Sequence, residues 1–437
     1  MLKKRHAFVS RPNKNIGGAI DGTTSTAPRT RRKSRIASPS VILATGAICL
    51  PLLASTASVV AAAPRTTPPI GKQLAELKGR DTVTPDSFGF SAAISGTTGV
   101  VGAPFYAKDA GRAYVFSKTS TGWKQVAELK GSDTVAKDDF GYSVAIWGTT
   151  AVVGAPFHAK SAGRAYVFTK TSTGWKQVAE LKGSNTVADD LFGFSVAISG
   201  TTAVVGAPFH PEYPFAETGR AYVFTKTSKG WKQVSELQGS APVASDDEFG
   251  YSAAISGTNA IVGERGYGNL GGLAYVFTET AKGWKQVAEL LGSGETELDN
   301  FGSSVAISGT TAVVGAPVEY VGGAGRAYVF TKTAKGWKQV AELKGSAPVD
   351  LGDEFGCSVA ISGTTAVLGA SETANAAGLA YVFTKTAKGW KQVAELKGSD
   401  TVADDYFGGS VALSGTTAIV GAPYYANHAG RAYVFKA

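Results

Sequence analysis

The sequence predicts an all-β fold, a seven-bladed β-propeller of four-stranded blades whose ring is closed by an N-terminal strand pairing with the C-terminal blade. Three observations carry this. A Phe-Gly pair recurs at Phe88, Phe140, Phe192, Phe249, Phe301, Phe355 and Phe407, spaced 52, 52, 57, 52, 54 and 52 residues apart, and a period near 50 is a propeller period. Each unit holds four runs with strand alternation, which for residues 140–191 read FGYSVAIW, TTAVVGA, RAYVFTKT and WKQVAELK. Four such strands, lettered A to D in chain order, make a blade. The seventh unit stops after strand C at Arg431–Phe435, while Lys72–Gly79 reads KQLAELKG and matches strand D of the other units. That strand completes the last blade and leaves no open seam.

In chain order, residues 1–40 form a basic leader with ten Lys or Arg and one acid, Asp21. They supply the whole formal charge of +9, so the remaining 397 residues are neutral. The pI of 9.2 is then no argument for nucleic-acid binding, and the repeats carry no basic motif interleaved with aromatics. Residues 41–63, VILATGAICLPLLASTASVVAAA, are uncharged and end in the small residues of a secretory cleavage site. Two outcomes stay open for this run, cleavage near Ala61–Ala63 or retention as a membrane anchor, the only membrane contact expected. Either way the expected location is secreted or cell-surface. Residues 64–71 are a short linker, and 72–437 are the propeller. Cys357 is the one cysteine beyond the leader, so no internal disulfide is available and it reads as a small buried residue.

The recurring Phe-Gly, followed 14 residues later by Gly-Ala-Pro as in Phe140-Gly141 and Gly154-Ala155-Pro156, resembles the FG-GAP repeat of integrin α-subunit propellers and of many secreted bacterial proteins. Five units carry GAP, whereas the fourth reads Gly263-Glu264-Arg265 and the sixth Gly369-Ala370-Ser371. The resemblance implies an extracellular binding module. In many such repeats it also implies calcium in an Asp-rich loop between strands A and B. Here the A–B turns read SGTT, SGTN or WGTT and hold no carboxylate, whereas calcium takes six to eight oxygens. No cofactor or metal is therefore expected.

Antiparallel strands place the D–A and B–C loops at one end of the ring and the A–B and C–D turns at the other. The first end is acidic, with an Asp two residues before each Phe-Gly: Asp86, Asp138, Asp190, Asp247, Asp299, Asp353 and Asp405. Each is read as a cap of its own turn. The second end collects lysines such as Lys118, Lys170, Lys226, Lys332 and Lys385, so the neutral body should be polarised. The five units that keep GAP also keep Arg at the start of strand C, at Arg112, Arg164, Arg220, Arg326 and Arg431, while the other two have Leu273 and Leu379. This pairing of changes suggests an Arg near the GAP turn, bonded to a neighbouring Asp and lying over the Tyr two residues on.

Recognition should lie where the repeats differ, and the B–C loops differ most. They supply the ligand-binding candidates Tyr106, His158, His210, Tyr213, Phe215, Tyr320, Tyr424, Tyr425 and His428, with a five-residue expansion around Tyr213 and Phe215. The histidines sit in different blades, which speaks against a shared metal. The residue after Phe-Gly is aromatic in four consecutive units, Phe90, Tyr142, Phe194 and Tyr251, and then Ser303, Cys357 and Gly409. Two readings are equal here: one side of the ring is more open than the other, or the change only varies packing between blades. Trp147 replaces the usual Ser in an A–B turn and reads as an incidental exposed aromatic. No nucleophile elbow, phosphate loop or zinc-ligand cluster is present, so no enzyme is expected. The leading expectation is a monomeric, non-catalytic binding protein for an extracellular protein or glycan. Its alternatives are a structural cell-envelope module or, behind that, a hydrolase.

Overall fold

A computed structural model describes residues 67–437 apart from 213–215, 242–246, 267–270, 295–298, 318–323 and 347–351. The chain forms seven four-stranded antiparallel sheets, each in the order A-B-C-D. In blade 1, A is Ser91–Ser95, B Thr98–Ala103, C Arg112–Thr119 and D Gly122–Leu129. Blades 2 to 6 span residues 144–181, 195–237, 249–290, 304–343 and 355–396. Blade 7 takes A from Ser410–Ser414, B from Thr417–Ala422, C from Arg431–Lys436 and D from Gln73–Leu77. The closing strand pairs Gln73 with Phe435, Glu76 with Tyr433 and Leu77 with Ala432.

Burial follows position in the blade. Ala113, Tyr114, Val115 and Phe116 of strand C are all buried because neighbouring blades cover both faces of the sheet. Strand D is the outer edge and alternates between exposed and half-buried residues. Each Phe of a Phe-Gly pair is buried against the Tyr and Phe of strand C in its own blade, Phe140 lying 5.5 Å from Tyr166 and 6.0 Å from Phe168. The apolar clusters bridge adjacent blades. One joins Val115 and Leu129 of blade 1 to Val144, Ile146 and Phe168 of blade 2.

The Phe-Gly and Gly-Ala-Pro elements meet across blade boundaries, which explains why they recur together. A Cβ on Gly102 of blade 1 would collide with the carbonyl oxygen of Gly141 in blade 2. Gly141, at φ +95°, turns that carbonyl to accept a bond from Ser91 Oγ at 2.8 Å. The same Ser-to-Gly bond runs round the whole ring and closes from Ser410 to Gly89 at 2.8 Å. At the opposite end, Ser95 Oγ accepts from the N–H of Gly148 in the next blade at 3.0 Å, and this link recurs at five more boundaries. Trp147 stands at the seventh boundary, where a serine would make that bond. It is half-buried against the core shared by blades 2 and 3, which corrects its reading as an incidental exposed aromatic.

Candidate functional site

Each B–C loop of blades 1, 2, 6 and 7 is a single left-handed helical turn built from residues other than glycine. In blade 1, Ala107 (φ 52°), Lys108 (62°) and Asp109 (66°) lie in the left-handed region, and Gly111 N–H closes on Tyr106 O at 3.0 Å. Ala159-Lys160-Ser161, Ala374-Asn375-Ala376 and Ala426-Asn427-His428 repeat the geometry. Each such residue costs about 1–2 kcal/mol for an L side chain. The cost is offset by bonds to the next blade, because the turn's carbonyls receive the D–A loop. Lys137 N donates to Lys108 O (3.1 Å), Asp139 N to Asp109 O (2.8 Å) and Phe140 N to Ala110 O (3.3 Å). Across the ring closure, Ser87 N donates to His428 O at 2.7 Å.

Carboxylates hold the D–A loops themselves. Asp86, Asp138, Asp190 and Asp405 accept from the N–H of Val83, Val135, Val187 and Val402 at 2.7–2.8 Å. Burial raises the carboxyls of Asp86 and Asp405 above their ordinary value, while the backbone donor pulls them down. Asp247, Asp299 and Asp353 are also buried. A second set, outside the residues singled out from sequence, is Asp81, Asp133 and Asp400. The two oxygens of Asp81 take the hydroxyls of Tyr106 and Tyr114 at 2.8 Å each, and Asp400 takes Tyr425 and Tyr433 at 2.8 and 2.7 Å. These bonds, together with burial, push all four phenols above their ordinary pKa, the bond leading for Tyr106 and Tyr425 and burial for Tyr114 and Tyr433. In blade 2, His158 Nδ1 meets Asp138 at 2.8 Å while its Nε2 lies 3.6 Å from Asp133. In blade 3, His210 pairs with Asp190 at 2.7 Å and Tyr222 bonds Asn185 at 2.8 Å.

The strand C arginines do sit beside these loops, but their partners differ from expectation. Arg112, Arg164, Arg220 and Arg431 pair with Glu128, Glu180, Glu236 and Glu76 of strand D at 2.7, 2.7, 3.1 and 2.6 Å. Arg326 lies 3.6 Å from Glu342. The ring under Arg112 is Tyr106, and that under Arg431 is Tyr425, each at 4.6 Å. Neither is the tyrosine two residues on, because strand alternation turns Tyr114 into the core while the loop tyrosine folds back over the blade end. At Arg326 the tyrosine two residues on, Tyr328, does bear on the guanidinium and raises its pKa.

Near the axis, Phe90, Tyr142, Phe194 and Tyr251 form one buried aromatic arc, with ring centroids 5.0, 5.0 and 4.9 Å apart. Arg265 ends the arc, stacked 4.2 Å over Tyr251 and paired with Glu248 at 2.9 Å. The other side is polar rather than open, since Ser303 and Cys357 are buried and Cys357 Sγ lies 3.4 Å from Ser371 Oγ. Among the described residues no group of three or more His, Cys, Asp or Glu is placed to hold a metal. The A–B turns offer no carboxylate and six hydrogen bonds tie all seven of them to a neighbouring blade, so these residues do not fit calcium.

Of the nine residues proposed for ligand contact, Tyr106, His158, His210 and Tyr425 are bound into the frame. Tyr424 packs 4.8 Å from Tyr406, and His428 lies exposed 4.3 Å from Tyr424. Tyr213, Phe215 and Tyr320 lie outside the described residues. The backbone around the first two forms a small ribbon pairing Pro211 with Glu217 and Glu212 with Ala216. A signal for the missed aspartates was present. The units with Asp or Asn in the GRDT, GSDT or GSNT stretch (Asp81, Asp133, Asn185, Asp400) are those with Tyr or His two residues after the Pro of GAP.

Similarity to known proteins agrees with this architecture. No curated protein matches the chain. Among solved structures, the crystal structure of Saccharomyces cerevisiae Sqt1 is similar over 81% of this chain and 84% of that one, at 12% identity and a TM-score of 0.44, a likeness too loose to carry an argument. A family model described as the FG-GAP repeat matches residues 72–116, 123–168, 175–224, 231–277, 284–330, 337–383 and 390–435, one match per blade. With the Phe-Gly and Gly-Ala-Pro elements interlocked at the blade boundaries, the chain belongs to the FG-GAP repeat family.

Proposed function

We propose that this protein is a non-catalytic recognition propeller, secreted or displayed at the cell surface, that holds an extracellular protein or glycan on its B–C loop face. The supporting observation is that this face is a hydrogen-bonded frame whose tips differ from blade to blade. A frame ordered before binding lowers the entropy lost on association, and variable tips on a constant scaffold are where selectivity resides. Four of the aromatic and histidine side chains serve the frame. Contact therefore falls to the tips, namely Lys108, Lys160, Asn375 and Asn427, to the Tyr424–His428 pair, and to the blade 3 ribbon carrying Tyr213 and Phe215. The test is capture of the protein on arrays of glycans and extracellular proteins, repeated with Tyr424→Ala/His428→Ala and with Tyr213→Ala/Phe215→Ala. A specific hit weakened at least about tenfold by one variant, with unchanged melting, is expected for anchors of this kind. Capture untouched by both variants would remove the loop face from consideration.

A further inference from the structure

The opposite end of the propeller has a charge pattern that loop-face recognition does not use. Six C–D hairpins carry two or three exposed lysines each, such as Lys118 and Lys124 in blade 1 or Lys332, Lys335 and Lys338 in blade 5, and Lys72 opens the seventh strand D. These make sixteen exposed lysines against one carboxylate, Glu279, in the turn-proximal stretches that carry them (residues 118–124 in blade 1 and their counterparts), and the A–B turns between them are uncharged. Among the described residues none of the sixteen has an ion-pair partner, and Lys332 alone finds a neutral acceptor, Asn259 Oδ1 at 3.4 Å. All are Lys rather than Arg. They are hydrated point charges suited to charge density rather than to forked recognition of one carboxylate or phosphate.

The chain's own path adds a second observation. Gly71 N donates to Lys436 O at 2.7 Å, Lys436 N to Lys72 O at 2.9 Å, and Ala437 N to Thr416 O of the blade 7 A–B turn at 2.9 Å. The polypeptide therefore enters the ring at the lysine end. No helix among the described residues is long and apolar enough to cross a membrane.

We propose that the lysine end is a docking face for an anionic lipid bilayer. The lysines are distributed round the entire ring, so a planar surface meets them together, whereas a linear polyanion would track only a few blades. Attraction of this kind grows with each basic residue near the surface and fades within a Debye length. It would turn the B–C loops outward, yet it does not depend on those loops binding anything.

The test uses residues 67–437, which close the ring by themselves, in flotation with vesicles of mixed phosphatidylglycerol and phosphatidylcholine or of phosphatidylcholine alone. The expected result is flotation with the anionic vesicles only, falling about tenfold or more between roughly 50 mM and 0.5 M salt. A similar loss is expected when Lys332, Lys335, Lys385 and Lys388 are changed to Gln, with melting unchanged. In the full chain on anionic vesicles, amine-reactive labelling of Lys332 and Lys385 should be suppressed while that of Lys108 on the loop face continues. No flotation, equal flotation with both vesicle types, or indifference to the lysine variant would overturn the proposal. So would tighter binding to soluble polyphosphate than to vesicles of equal charge, which would identify a linear polymer instead.

Discussion

Glu264 stands where five other blades have the Ala of Gly-Ala-Pro, and it is buried to 5% exposure with its Oε2 2.6 Å from the Tyr275 hydroxyl. Burial pushes its carboxyl up to about 8, the Tyr275 bond draws it back, and Asp247 and Glu289 raise it further. Between the ordinary glutamate value and about 8, the folded state holds a proton that the unfolded chain has lost. Stability must then fall as pH rises through that window, by up to about 1.4 kcal/mol per pH unit from this group, and level off above it. Glu264→Gln keeps an acceptor for Tyr275 and removes the titration. Urea unfolding should show the variant gaining about 1–3 kcal/mol over the parent from pH 5 to pH 8, whereas parallel profiles would show that the buried acid is not the cause. Single residues were the least legible scale in the sequence. That Arg112 would pair with Glu128 and cover Tyr106 depends on which side chains two strands bring to one surface, and no local pattern states it.

At the scale of elements, strand alternation and turn chemistry were legible, and the handedness of the B–C loops was not. In YAKDAG and YYANHAG the three successive left-handed residues, Ala107–Asp109 and Ala426–His428, are not glycine, because bonds to the next blade's D–A loop impose that conformation. Replacing Ala107 or Ala426 with Gly should remove part of the strain and raise stability by up to about 1 kcal/mol each, after glycine's own entropic cost. Differential scanning calorimetry of the two variants would check this, and a lowered melting temperature in both would contradict the strain account. The outer strands hold a further device that pattern alone did not reveal. In blade 1 the pairing steps from Val115–Ala127 to Phe116–Gln125, which leaves Val126 as a bulged residue at 50% exposure, and each following strand D repeats it. A bulge twists an exposed edge away from pairing with another edge, which reconciles seven exposed edge strands with a discrete ring.

At the scale of the whole molecule, closure depends on one short strand. Removing residues 72–79 would uncover the strand C edge at Arg431–Lys436 and, with Leu77 lost, the core around Ala432 and Val434. The shortened propeller should lose its single cooperative transition or associate through the open seam. Light scattering and thermal melting report both, and a monomer melting like the parent would show closure to be dispensable. The ring is also asymmetric. Blades 1 to 4 supply the aromatic arc, whereas blades 4 to 6 face the axis with Arg265, Ser303, Cys357 and Ser371. The sequence showed that residue types change round the ring at these positions, but the packed result is a polar side and not an open one.

The sequence by itself determined the number of blades, the four strands in each, the strand that closes the ring and the separation of acidic and basic ends. These follow from periodicity, alternation and chain direction, all of which are one-dimensional. Only the tertiary structure decided how blades lock to one another and which loop side chains are drawn into the frame. Ser91 reaching Gly141, Tyr106 reaching Asp81 and Lys137 reaching Lys108 each join segments 25 to 50 residues apart. Such contacts exist only once two blades are packed, so no single short stretch of the chain encodes them, and the Tyr106–Asp81 pair shows in the sequence only as a correlation between repeats.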